Sequence, residues 1–256
     1  MEKYRVTIYN EFVHEKKNEF VKKLYPKGMH EVIGDYMKKE PGFSVNYATL
    51  DMPDHGLTQE VLDNTDVLMW WGHVAHGQVK DEIVDRVQTR ILQGMGLIVM
   101  HSGHMSKIFR ELNGTSGKLH WREVGELERV WCVDPAHPIA ADIPEHFDIP
   151  YEEMYGEPFM IAGDAHVIFM SWFEGGEVFR SGFTLQRGFG RMFYFRPGHE
   201  AFPTFHQAEV LKVLANGIRW LKPTVDMPFP KTHRPDSLSP IAPKDFDLHK
   251  VGIVKG

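Results

Sequence analysis

Short apolar runs alternate with longer amphipathic stretches along the first half of the chain. YRVTIYN (4–10), FSVNYATL (43–50), DVLMWWG (66–72) and GLIVM (96–100) have the make-up of strands, and DVLMWWG is so continuously apolar that it suits a strand buried on both faces. Between them, GMHEVIGDYMKKE (28–40) puts Met29, Val32, Ile33, Tyr36 and Met37 on one helical face and stops at Pro41-Gly42. Thr58 is placed to cap the short helix TQEVLDN. KDEIVDRVQTRILQG (80–94) is the clearest helix, with Ile83, Val84, Val87 and Ile91 on one stripe and Gly94 as its stop. A further helix is expected over HMSKIFRELNG (104–114). This strand–helix rhythm predicts a parallel sheet with right-handed crossovers and helices on both faces.

The texture changes after residue 120. WREVGELERVWCVD (121–134), AHVIFMSW (165–172), EVFRSGFTLQR (177–187) and GRMFYFRPGH (190–199) read as strands, with Gly175-Gly176 and Gly188–Gly190 as turns. The charges of ELERVWCVD are expected to face water. FHQAEVLKVLANGIRWLK (205–222) is a closing helix with Val210, Leu214, Ile218 and Leu221 inward. Residues 223–256 hold six of the 16 prolines and little periodicity. They read as an extended tail that wraps the domain or a neighbouring subunit, leaving 1–222 as one α/β domain.

Composition narrows the function. The 256 residues, 42% of them hydrophobic, suffice for a full core. A net charge of −6 and the lack of a basic stripe with interleaved aromatics argue against a nucleic-acid partner. Neither a secretory signal nor an apolar run of membrane-spanning length is visible, so a cytoplasmic protein without a membrane partner is expected. The single cysteine, Cys132, allows neither an internal disulfide nor a Cys-x-x-Cys metal site, and it reads as a small buried hydrophobe. Fifteen histidines are many for this length, and imidazole serves as metal ligand and as acid or base.

Their placement is the main functional signal. In an open parallel α/β sheet, ligands bind beyond the carboxyl ends of the strands. Just past the first predicted strand come Asn10, Glu11, His14 and Glu15; past the third, His73 and His76; past the fourth, His101 and His104; past the last, His199 and Glu200. Four distant segments thus deliver histidine to one edge. Three imidazoles, or two with a carboxylate, make a site for a divalent metal such as Zn²⁺ with an open position. The same groups without metal serve as acids, bases and hydrogen bonders around a polar substrate. Glu15, Glu200 and the pair Glu152-Glu153 are the carboxylates that would assist either.

Blander readings stand beside these. Any one of the strand-end histidines is structural about as often as functional, and His30, His55, His120, His137, His146, His166, His206, His233 and His249 lack the strand-end argument. Trp70-Trp71 reads as core strand before sugar platform. Gly188-Phe189-Gly190 precedes a strand, so it reads as a hairpin turn, and no nucleotide cofactor is expected. Ser102, in HSGH after a strand, invites comparison with a nucleophile-elbow serine, but Met100 and His104 occupy the glycine positions of G-x-S-x-G.

The segments NEFVHE (10–15), WWGHVAHG (70–77), GLIVMHSGHMSKIF (96–109), WREVGELERVW (121–131), EEMYGEPF (152–159), FEGGEVFRSG (173–182) and FYFRPGHE (193–200) resemble the ThuA-like, trehalose-utilisation family over residues 4–222. The resemblance implies a flavodoxin-like, class I glutamine amidotransferase-like three-layer sandwich with a mostly parallel central sheet. In amidotransferases the elbow reads Cys-x-Gly-His and the partner motif His-Pro-Glu. Here His101 falls on the cysteine, Ser102 on the variable position and Gly103 on the glycine, while His199-Glu200 matches the partner pair without the proline. Without a thiol at position 101, glutaminase chemistry is unavailable, and only the fold and pocket location carry over.

The family name implies a role in the catabolism of trehalose and related disaccharides. One hypothesis is therefore a hydrolase, lyase or isomerase acting on a disaccharide or its keto form. His101, His199, Glu153 and Glu200 are its candidate catalytic groups. Asn10, Glu15, His76, His104 and Tyr155 are candidate substrate-binding residues, with a lowered His104 pKa expected from a helix start. His14, His73, His101 and His199 are the candidate metal ligands. The other hypothesis is a non-catalytic sugar-binding or regulatory protein using the same pocket. A small carbohydrate is the expected partner, and the tail suggests a homo-oligomer.

Overall fold

In the computed structural model, which describes residues 4–229 and 236–242, the apolar runs become the inner strands of one large sheet. In chain order the elements are β1 (Tyr4–Asn10), α1 (His14–Lys17), α2 (Glu19–Leu24), α3 (Met29–Met37), β2 (Phe43–Thr49), α4 (Gln59–Asp63), β3 (Val67–Trp71), α5 (Asp81–Gln93) and β4 (Gly96–Met100). There follow α6 (Lys107–Asn113), β5 (His120–Cys132), β6 (His146–Gly156), β7 (His166–Phe173), β8 (Val178–Arg187), β9 (Gly190–Phe195) and α7 (Ala208–Leu221). The nine strands lie in the order β2-β1-β3-β4-β9-β8-β7-β5-β6.

Period-two alternation explains the three layers. In β3, Val67, Met69 and Trp71 point into one apolar cluster with α3 and α7, while Leu68 and Trp70 point into the other with α5 and α6. Both tryptophans are core, as expected from the sequence. Thr58 accepts the Val61 amide as the cap of α4, and Gly94 ends α5 with a positive φ. Among the described residues no helix is long and apolar enough to cross a membrane.

Four expectations need correction. The sheet is not mostly parallel. β2, β1, β3, β4 and β9 are parallel neighbours, but β9-β8-β7-β5-β6 is antiparallel throughout and pairs slightly more residues. The short turns at Gly175-Gly176 and Gly188–Gly190 force this, because parallel neighbours need a long crossover. Second, β6 escaped the sequence reading because Pro150 interrupts it; it is the last strand of the sheet, where a missing N–H is tolerated. Third, the helix expected from His104 begins at Lys107, capped by Ser106 Oγ on the Phe109 amide, and His101–Met105 forms a 3₁₀ turn before it. Fourth, the charges of β5 do not all face water: Glu128 is fully buried and Glu126 nearly so. Cys132 is half-buried.

The start of the Pro-rich tail packs back on the domain, with Met227 N–H donating to Gln93 O and Arg90 pairing with Asp226. Residues 230–235 and 243–256 of that tail lie outside the described residues.

Candidate functional site

The parallel half of the sheet brings its carboxyl ends together, and the polar residues that follow β1, β3, β4 and β9 meet there. Ring centroids of His73 lie 5.1 Å from His14, 6.1 Å from His101 and 5.6 Å from His199, and His101 lies 5.2 Å from His199. The four histidines expected from strand ends are therefore neighbours. β6 adds Glu153 and Tyr155 from the antiparallel half.

His101 occupies the elbow. Its φ is 50°, a region β-carbon residues rarely adopt, so the turn at the end of β4 is strained there. Gly103 serves a different need from turning the chain: a β-carbon on it would come within 2.7 Å of Val99. The His101 ring stacks on Tyr155 and is fully buried. Its Nδ1 lies 3.1 Å from the Arg196 carbonyl, which can only accept, so Nδ1 carries the proton and Nε2 a lone pair. Nε2 faces Glu153 Oε2 at 3.1 Å, and the Tyr155 hydroxyl lies 3.4 Å from it. Burial, followed by the neighbouring His199, holds the His101 pKa well below its ordinary value.

Two lone-pair atoms 3.1 Å apart, on side chains that are both buried, repel unless a proton or cation joins them. Glu153 Oε2 has no hydrogen-bond partner, and neither do His199 Nε2, Glu200 Oε2 or His14 Nε2. Native interiors rarely leave such atoms unpaired, so their convergence marks a place for a ligand. His199 differs from His101 in tautomer. The Ala201 amide donates to its Nδ1 at 3.1 Å, which leaves the proton of the neutral ring on Nε2.

Glu200 Oε1 lies 3.0 Å from His73 Nδ1 and 3.2 Å from His14 Nε2. Burial works to raise the Glu200 pKa, but the bond from His73 and the neighbouring imidazoles outweigh it and bring it to about 2. Burial alone would lower the His73 pKa; Glu200 reverses this and raises it.

A cavity of about 480 Å³ opens over the cluster, lined by His73, His76, Ser102, His104, Glu153 and Tyr155, with Trp121 at its exposed rim. His104 Nδ1 donates to Gly117 O, and burial lowers its pKa to about 3. His76 is lowered to about 4, again chiefly by burial. Burial, not a helix dipole, thus keeps both neutral wall imidazoles, since α6 starts beyond His104. Ser102 Oγ donates its proton to Gly72 O at 2.8 Å and touches no base, so it is a positioned wall hydroxyl and not a nucleophile.

Asn10 and Glu15 do not reach the cavity wall. Asn10 Nδ2 donates to Glu15 Oε1 and lies 2.9 Å from His30 Nδ1, and Glu15 Oε1 also accepts the Met29 amide, so the pair ties β1 to α3. Three carboxylates organise the site: Glu152 was among those expected to assist, whereas Glu11 and Glu128 were not legible as such. Glu11 accepts the amides of His73, Val74 and Ala75, holding the loop that aims His73. Glu152 Oε1 accepts from Gly198 N, His199 N and Thr204 Oγ1, fixing the loop of His199 and Glu200. Its Oε2 and Glu128 both bind the fully buried Arg196. Trp121 was readable only as a strand residue. Glu11→Gln should loosen the 73–75 loop, because the amide side chain offers one acceptor oxygen to three donors. Faster hydrogen exchange at those amides is the expected readout, and unchanged protection would show that Glu11 does not hold the loop.

Comparisons with known proteins bear on the family and the fold. The family model described as ThuA, trehalose utilisation, matches residues 5–221. A search of curated proteins finds no match to this sequence. Among solved structures, a ThuA-like protein from Bacteroides uniformis aligns with a TM-score of 0.63 at 16% identity, covering 86% of this chain and 91% of its own. One from Parabacteroides merdae aligns with a TM-score of 0.64 at 14% identity, covering 89% and 94%. A glutamine amidotransferase from Thermotoga maritima aligns with a TM-score of 0.51 at 13% identity, covering 86% and 99%. At these identities the likeness is one of fold, and the fold is the expected glutamine amidotransferase-like one.

Proposed function

The chain belongs to the ThuA, trehalose-utilisation, family, and from that premise we propose that it is an enzyme acting on a disaccharide or its keto form by proton transfer next to a carbonyl. One observation carries this reading. Glu153 lines the cavity, its buried Oε2 has no hydrogen-bond partner, and His101 Nε2 lies 3.1 Å from that oxygen.

The chemistry of a keto-sugar asks for a base at the acidic carbon and a donor at the oxygen that gains charge. Glu153 takes the proton, and His101, whose Nδ1 is anchored on Arg196 O, stands behind it as the positioning and proton-sharing partner. His199 Nε2–H, 3.9 Å from Glu153 Oε2, is the nearest imidazole donor, and the Tyr155 hydroxyl, 3.4 Å from His101 Nε2, belongs to a residue of the cavity wall. His76 and His104, neutral at physiological pH, offer acceptors to sugar hydroxyls, and Trp121 offers a face at the rim. The cavity falls within the range of small-molecule sites, roughly 300–1,000 Å³. With His101 at the elbow and no thiol there, the site is not suited to glutamine hydrolysis.

The test is turnover of trehalose and of its oxidised keto form by the purified chain, followed by NMR. Conversion of either that survives Ser102→Ala and is lost in His101→Ala supports the reading. Binding without conversion would overturn it in favour of a sugar-binding protein using the same pocket.

A further inference from the structure

We propose that His14, His73 and Glu200 form a divalent transition-metal site of the zinc class, and that the adjacent trio His101, Glu153 and His199 handles protons without holding the metal. The strand-end cluster separates into these two groups by distance, each with its three candidate donor atoms within 4.8 Å of one another. This rests on the reading of the pocket as an active site, yet its test needs no substrate, so the two can fail separately.

The first trio has the donor set and spacing of a catalytic zinc centre, two imidazoles and a carboxylate with a position left open. Tetrahedral metal–ligand distances of roughly 2.0–2.2 Å place neighbouring ligand atoms roughly 3.3–3.6 Å apart, a few tenths of an ångström beyond the separations seen here. Glu200 Oε1 is 3.0 Å from His73 Nδ1 and 3.2 Å from His14 Nε2. At that distance His14 Nε2 still makes no hydrogen bond, and the buried Glu200 has a second oxygen, Oε2, that also lacks a donor. His73 Nδ1 is hydrogen-bonded to Glu200 Oε1, so a metal there would take the place of the proton they share, whereas His14 Nε2 and Glu200 Oε2 are unpartnered and face the same centre. Three strand ends supply the ligands, and Glu11 holds the backbone of the His73 loop, so the set is built before any ion arrives. His73 lines the cavity, which puts the open position on the substrate side.

Backbone hydrogen bonds distinguish the second trio. A neutral histidine that ligates through Nε2 must carry its proton on Nδ1, usually given to a carbonyl or carboxylate. His101 meets this condition through Arg196 O. His199 does the reverse, since its Nδ1 accepts the Ala201 amide and its Nε2 keeps the proton. A ligand set needing that nitrogen would have to displace the proton or turn the ring and abandon the amide.

The full-length protein, stripped with chelator, is titrated with Zn²⁺ by equilibrium dialysis and elemental analysis, and with Co²⁺ by visible absorption. One equivalent per chain is expected. His14→Ala and His73→Ala should weaken binding by more than the roughly 10–100-fold that loss of an outer-shell partner costs, with loss of the Co²⁺ band. His101→Gln and His199→Gln should keep one equivalent and the band. The His14 side chain is partly exposed, so its alanine variant carries the test if His73→Ala does not fold. No bound metal, two equivalents per chain, retention in His14→Ala, or loss in His199→Gln would each overturn the proposal.

Discussion

Glu153→Gln is expected to lower kcat by about 10²–10⁴-fold, the usual weight of a positioned general base, without loss of stability. The reason lies in the atom it changes. Glu153 Oε2 faces the lone pair of His101 Nε2 at 3.1 Å and receives no hydrogen bond. An amide at that place turns the repulsive contact into an N–H···N bond, since His101 Nδ1–H is already committed to Arg196 O. The variant loses a base and gains a satisfied hydrogen bond, so its thermal midpoint should match or exceed that of the parent. Such a trade is characteristic of groups kept for chemistry at a cost in stability. Turnover at the parental rate, with trehalose or its keto form as substrate, would remove Glu153 from the mechanism. A large fall in the melting temperature would contradict the account of its environment.

The largest loss of stability is expected from Arg196→Met. Arg196 is fully buried and bonds Glu128, Glu152 and the Glu153 carbonyl, while Glu152 in turn holds the loop of His199 and Glu200. Removing one partner of a buried ionic group typically costs about 3–5 kcal/mol, because the charge left behind has neither water nor a counter-ion. At roughly 2–4 °C per kcal/mol for a chain of this size, the midpoint should fall by about 6–20 °C. Glu128→Gln should be much milder. Burial raises the Glu128 pKa, whereas Arg196, despite burial acting the other way, keeps that of Glu152 lowered. An amide at Glu128 keeps an acceptor for Arg196, and Glu152 still neutralises the guanidinium, so little is lost. Thermal unfolding of both variants decides the matter. Equal losses would mean that the charge is shared evenly across the triad, and a shift under 2 °C for Arg196→Met, less than about 1 kcal/mol, would mean that it contributes little.

Much of the site was legible because its residues follow strands whose apolar runs announce themselves. GLIVM and DVLMWWG could hardly be anything but inner strands, so His73, His76, His101 and His104 could be placed at one sheet edge. What escaped was one strand of the antiparallel half, β6. Pro150 and the charges of DIPYEEMYG disguise β6, which supplies Glu153, Tyr155 and the organising Glu152. Glu128 and Arg196 were illegible for a related reason. A charged residue in a strand normally faces water, and only a partner from a distant strand allows it inside. Asn10 and Glu15 stand at the right strand end, but their side chains turn towards α3 and each other.

Local patterning by itself determined the inner parallel strands, the helices that cover them and the edge at which histidines gather, because burial periodicity and helix stops act over a few residues. Family motifs added the glutamine amidotransferase-like fold and showed that no thiol stands at the elbow. Only the tertiary structure decided how the histidines divide. The tautomer of His101 is set by a carbonyl 95 positions away, that of His199 by an amide two residues on, and the carboxylates beside them come from β6 and from the loop after β9. Proton placement depends on which backbone group each ring nitrogen meets, and that meeting exists only once the sheet has closed around it.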